Sequence, residues 1–145
     1  MKKRYTLPLL LICISALASG CSIKKDDFNL EKIQKIEVAS SQNPETILQV
    51  INNNKDVKEF THSLKIDKWK QVEVPSKETE GIIYKMYQED TIKLGQSKTN
   101  EKEMKQVAAI ITYKDSPYVT FIQKKLAITF KLPKDAAKHL SRIGN

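Results

Sequence analysis

Cysteine is almost missing from this chain: of 145 residues only Cys13 and Cys21 carry a thiol. From residue 22 onward there is none, which excludes a disulfide framework, a thiolate metal site and a cysteine nucleophile there, so packing must hold that part together. Glycine is nearly as scarce, at Gly20, Gly81, Gly95 and Gly144. A phosphate-cradling glycine-rich loop is therefore excluded, and neither G-x-S-x-G nor a calcium-loop pattern occurs. There are two histidines, His62 and His139, one tryptophan, Trp69, and only one arginine after Arg4, Arg142. A long apolar run is lacking too. The one aliphatic stretch, from Leu7 to Leu17, falls short of the about 20 residues a membrane-spanning helix needs, and Pro8 weakens it as a continuous helix.

What that stretch does have is a distinctive frame. Lys2, Lys3 and Arg4 precede it, and the small residues Ala18, Ser19 and Gly20 follow, ending at Cys21. A basic cluster, a short apolar core and small residues make a secretory signal. The run Leu17-Ala18-Ser19-Gly20-Cys21 resembles the lipobox of bacterial lipoproteins, with Ala18 at the place where leucine is commoner. That resemblance implies cleavage between Gly20 and Cys21. It also implies a diacylglycerol thioether on Cys21, with N-acylation such as palmitate left open, and an address on the outer face of the cytoplasmic membrane. Two acyl chains hold stably where one is reversible, because each buried methylene contributes about 0.8 kcal/mol. The expected layout is a removed signal over 1–20, a lipidated cysteine and polar tether over 21–30, and a single domain over 31–145.

The whole chain carries +8, and without Lys2, Lys3 and Arg4 it carries +5. Such a surface is attracted to anionic headgroups or wall polyanions, by up to about 1 kcal/mol per lysine close to the membrane. The 17 acidic residues are interspersed with the basic ones, which describes a mixed, solvated surface more than a stripe. Lysines spread this thinly, with one arginine and no basic-aromatic module, argue against nucleic acid as a partner.

Hydrophobic periodicity after the tether alternates between two and 3.6, the mark of an α+β fold. "KIQKIEVAS" places Ile36 and Val38 on one strand face, and "ETILQVINN" returns across a turn at Gln42, Asn43 and Pro44 as a hairpin. Asn54 to Ile66 spaces Val57, Phe60 and Leu64 as the stripe of an amphipathic helix, with Asp56 and Glu59 arranged as a capping box. "KWKQVEV" reads as a strand whose Trp69 anchors the core over that helix. "SKETEG" is a loop, and "IIYKMYQEDTIKL" reads as two short strands around Glu89 and Asp90. In "QVAAIITY", Val107, Ala109, Ile111 and Tyr113 share one face and Ala108 and Ile110 the other, a central strand covered on both sides. After a turn at "KDSP", the strands "YVTFI" and "LAITFKL" follow, with Leu126, Ile128, Phe130 and Leu132 alternating. Short linkers favour antiparallel pairing throughout. A last helix begins at Pro133 or Lys134, turns Ala136, Leu140 and Ile143 inward, and leaves Gly144 past its end. The expected fold is thus a mainly antiparallel sheet with one internal amphipathic helix and a C-terminal helix.

Candidate chemistry is sparse. His62 and His139 each fall on an expected helix and read as solvent-facing, since a metal site needs three or four convergent ligands. Ser22-Ile23-Lys24-Lys25 fits S-x-x-K, but it sits in the tether and neither S-D-N nor K-T-G follows. Glu78 with Glu80, and Glu89 with Asp90, read as solvated loop carboxylates and not as an acid/base pair. Tyr84 and Tyr87 differ in parity and point to opposite faces, while Tyr113 and Tyr118 flank the "KDSP" turn, where aromatics either pack across strands or line a groove. No catalytic residue, metal site or cofactor is expected. The expectation is a non-enzymatic lipoprotein whose domain binds an envelope protein or ligand. The alternatives are an envelope enzyme with an unrecognised acid/base site, and an inhibitor or immunity-like module presenting a hairpin.

Overall fold

The computed structural model describes residues 30–73, 76–89 and 103–144. The signal, the lipobox with Gly20 and Cys21, the S-x-x-K run, Asp90 and the second of the two strands expected around it lie outside the described residues.

Among the described residues seven strands and two α-helices follow in the order β1 (Lys35–Ser40), β2 (Asn43–Ile51), α1 (Asn54–Ser63), β3 (Lys70–Gln71), β4 (Glu80–Glu89), β5 (Met104–Tyr113), β6 (Tyr118–Gln123), β7 (Leu126–Lys131) and α2 (Lys134–Ile143). The strands form one sheet ordered β2-β1-β4-β5-β6-β7-β3, antiparallel at every pairing. This is an α+β fold built mainly on an antiparallel sheet.

One face of the sheet carries Ile36, Val38, Tyr84, Met86, Ala108, Ile110, Val119, Phe121 and Phe130. These join Val57, Phe60 and Leu64 of the α1 region and Ala136 and Leu140 of α2 in a single core. Both helices therefore cover the same face. Phe60 meets Tyr84 with ring centroids 5.3 Å apart, and the Tyr84 hydroxyl donates to the Leu140 carbonyl at 2.7 Å. Leu30 is buried in the same core, so the folded part begins no later than this residue.

Several expectations change. The N-cap of α1 is Asn53, whose side chain accepts the Lys55 amide at 2.9 Å, where Asp56 was expected. The chain turns at Ser41 and Gln42, and Asn43 is already paired with Ser40. Glu80 and Gly81 belong to β4, which runs for ten residues to Glu89, paired with β1 on one side and β5 on the other. The strand expected around Trp69 shrinks to Lys70–Gln71. Trp69 precedes it, half-buried, with its Nε1 donating to the Leu64 carbonyl at 2.7 Å and its ring 5.2 Å from that of Phe130. It seals the end of α1 against the sheet instead of lying over the helix. Leu126 opens β7 beside a tight turn and is 66% exposed, so the alternating row is buried only from Ile128 onward. No described element covers the second face of β5, where Tyr113 and Ala109 are buried by neighbouring strands. No helix of the described residues is long and apolar enough to cross a membrane.

Candidate functional site

Among the described residues a broad concavity lies where the end of β5, the start of β4 and the last turns of α2 converge. Three local features shape it. The β5–β6 turn spans Lys114 to Pro117 with Asp115 in the left-handed region, φ 51°, a conformation that short polar side chains tolerate. The Leu132 amide donates to the Pro117 carbonyl at 2.8 Å, which ties the exit of β7 to that turn and aims α2 back along the sheet. Between Glu80 and Ile83 the β4–β5 register shifts, and Thr112 Oγ1 fills the gap by accepting the Ile82 amide at 3.0 Å.

The C-terminus of α2 is set down on β4 without room to spare. A Cβ at Gly144 would lie 2.7 Å from Ile82 Cγ1 and 3.3 Å from the Tyr84 hydroxyl. Glycine is required there by close approach, with an ordinary helical φ of −85°. The resulting groove encloses about 680 Å³ and is lined by Tyr118, Lys114, Lys138, Ser141 and Thr112, with buried Val119, Leu132 and Leu140 among its apolar walls. A volume of this size, with polar and apolar groups mixed in its lining and Asp115 beside the two lysines, has room for a small ligand.

A second cavity, of about 320 Å³, lies beside β2. Gln49, Val50 and Ile51 of β2, Asp56, Glu59 and Phe60 of α1, and His139 and Ile143 of α2 line it. His139 is half-buried, and its Nε2 is fully buried with no hydrogen-bond partner. His62 is exposed on α1 and does not line this cavity. The two histidines thus differ: one is solvated as expected, while the other is drawn under the sheet edge because Phe60, 6.2 Å away between ring centroids, packs against it.

The two tyrosines of β4 do point to opposite faces. Tyr84 is wholly buried, and burial drives its phenol well above the ordinary value. Tyr87 lies half-buried on the second face, donates to Glu37 Oε2 at 2.7 Å and has Lys35 Nζ 4.6 Å from its ring centre. Burial first, then the bond to Glu37, push it up to about 12. Glu37 accepts from Lys35 Nζ at 2.7 Å, and that contact chiefly holds its carboxyl below the ordinary value. Lys35 and Glu37 at i and i+2 share a strand face, a signal the sequence carried openly. Tyr113 packs, as cross-strand aromatics do, with its hydroxyl 2.8 Å from Thr120 Oγ1, itself 2.9 Å from Thr129 Oγ1. Tyr113 and Tyr118, on either side of the turn, both line the groove. Glu78 and Glu80 are half-buried and exposed at the entry of β4, and Glu89 ends that strand. Among the described residues no three His, Cys, Asp or Glu side chains are placed to hold a metal ion.

Asp56 and Glu59, read in the sequence as capping residues, are the site residues that sequence reasoning missed. Their spacing put them on one helix face, but their meeting with His139 depends on how α1 and α2 share the sheet. No known protein family, no curated protein and no solved structure matches this chain.

Proposed function

We propose that this protein is a non-enzymatic binding module held by lipid at Cys21 on the outer face of the cytoplasmic membrane. The observation that carries the address is the lipobox Leu17–Cys21 behind a basic, short apolar leader. The groove between α2 and the β5–β6 turn, with hydroxyls, Asp115 and two lysines beside its aliphatic walls, supports a small amphiphilic ligand as its cargo. In this reading α1 is the domain's internal amphipathic helix, with Val57 and Phe60 turned to the core and its charged residues outward.

Address and cargo are tested separately. In cells fed a labelled fatty acid, wild-type protein takes up label, and Cys21→Ser keeps its leader and takes up none; label on the variant would refute the anchor. For the groove, Ala137→Trp places a bulky ring among its lining residues. Native mass spectrometry of protein drawn from its own membrane should reveal a bound mass in wild type that this variant lacks. Identical spectra from the two would refute the groove as a ligand site.

A further inference from the structure

The β2 edge of the sheet differs from an ordinary guarded edge. It is nine residues long and is terminal in the strand order, so among the described residues nothing pairs with its outer side. Natural edges of this length are blunted by lysines, prolines or brevity. Here the chain has 25 lysines and arginines, yet β2 holds none; Pro44 and Glu45 guard only its first residues. From Thr46 to Ile51 it is uncharged, and Ile47, Leu48 and Val50 are all more than a third exposed.

The small cavity opens beside this edge. Ile51 and Gln49 pair with Ile36 and Val38, whose side chains face the helices, so the cavity lies on the helix side of β2. Its charged lining residues are Asp56 and Glu59, and no lysine or arginine lines it; Lys55 and Lys58 of the same helix do not. In a chain with a net charge of +8 this is a local reversal of sign. The buried Nε2 of His139 adds an unmet requirement, because an unpartnered buried polar atom is destabilising until a hydrogen bond satisfies it.

These features share one complement. We propose that β2 and the cavity beside it form a docking surface for an extended polypeptide that adds as an eighth strand and places a lysine or arginine side chain among Asp56, Glu59 and His139. Main-chain bonds to the open ladder supply the register, and a pocket for alternate side chains supplies selectivity. The strand alternation puts every second residue of the guest on the helix side, where only a cation meets opposite charge. The proposal stands apart from the lipid anchor and from the α2 groove, and neither of those failing would touch it.

The test uses the full chain in detergent micelles and a synthetic decapeptide of alternating threonine and valine with one central lysine. Fluorescence anisotropy should show it binding at least tenfold more tightly than the same peptide carrying glutamate or leucine at the centre. Asp56→Asn combined with Glu59→Gln should abolish that preference. Both side chains are exposed, so the variant keeps its fold, which an unchanged melting curve verifies. Hydrogen exchange in the lysine complex should slow at the Thr46–Ile51 amides and stay unchanged at Lys70 and Gln71. Equal affinity for the three peptides, or binding without protection of β2, would overturn the proposal. Concentration-dependent protection of β2 without peptide would overturn it in favour of a second copy of this chain.

Discussion

The two faces of the sheet solve the problem of burial differently, and Tyr84 and Tyr87, three residues apart on β4, show how. Tyr84 faces the helices, is fully enclosed, and satisfies its hydroxyl on the backbone of α2. Tyr87 faces a side that no described element covers and satisfies its hydroxyl on a carboxylate, itself held by a lysine. The first arrangement fixes where α2 lies and so shapes the groove. The second leaves charged groups at partial exposure, where their contribution depends on pH. A single strand thus supplies rigidity to one face and titratable chemistry to the other.

The comparison is broken most forcefully at its buried side. Phe60→Ala removes the ring between Tyr84 and His139 and should destabilise the domain by about 4 kcal/mol; a denaturation curve within about 1 kcal/mol of wild type would refute the division of labour between the faces. Next comes Tyr84→Phe, which leaves the ring but removes its hydrogen bond to the Leu140 carbonyl, which keeps only the Gly144 amide at 3.2 Å. The expected loss is about 1 kcal/mol, with the α2 amides exchanging faster in hydrogen-exchange measurements. A loss confined to β4 would show that the hydroxyl does not hold α2.

The smallest effect sharpens the contrast through pH. A phenol ordinarily titrates near 10, and Tyr87 in the folded protein is pushed up to about 12. The fold therefore favours its protonated form, and that contribution is complete below pH 10 and is lost as pH rises through 12. Glu37 runs the other way: its folded carboxyl lies below the ordinary 4.5, so its contribution is present above that pH and lost as the solution is acidified. Tyr87→Phe should make stability fall less steeply between pH 10 and 12, with the remaining slope due to Tyr84. An unchanged slope in melts over that range would show that Tyr87 is solvated. On the surface, the Lys65–Asp135 pair lies too exposed for its removal to be felt.

Much of this architecture was legible because its signals are local. Period-two alternation exposed the faces of β1 and the opposed tyrosines of β4, and the i, i+3, i+7 apolar spacing together with a Pro–Gly frame located α1 and α2. Local signals also misled where a neighbour overruled them. Asp56 fits a capping pattern, yet Asn53 reaches the open amide first. A run rich in β-formers surrounds Trp69, yet the indole is better placed sealing Leu64 and Phe130 than extending a ladder. Apolar residues on both sides of β5 suggested two covering layers, when cross-strand packing by Tyr113, Thr120 and Thr129 suffices on one of them.

By itself, the sequence determined the antiparallel α+β character and most of the side chains that turn inward, since each follows from composition or from a repeat a few residues long. Only the tertiary structure decided that β2 is the terminal strand among the described residues, that both helices share one face, and that His139, Asp56 and Glu59 line one cavity. Those outcomes rest on strand order and helix placement, which join residues far apart along the chain and leave no periodicity behind for a reader of the sequence to find.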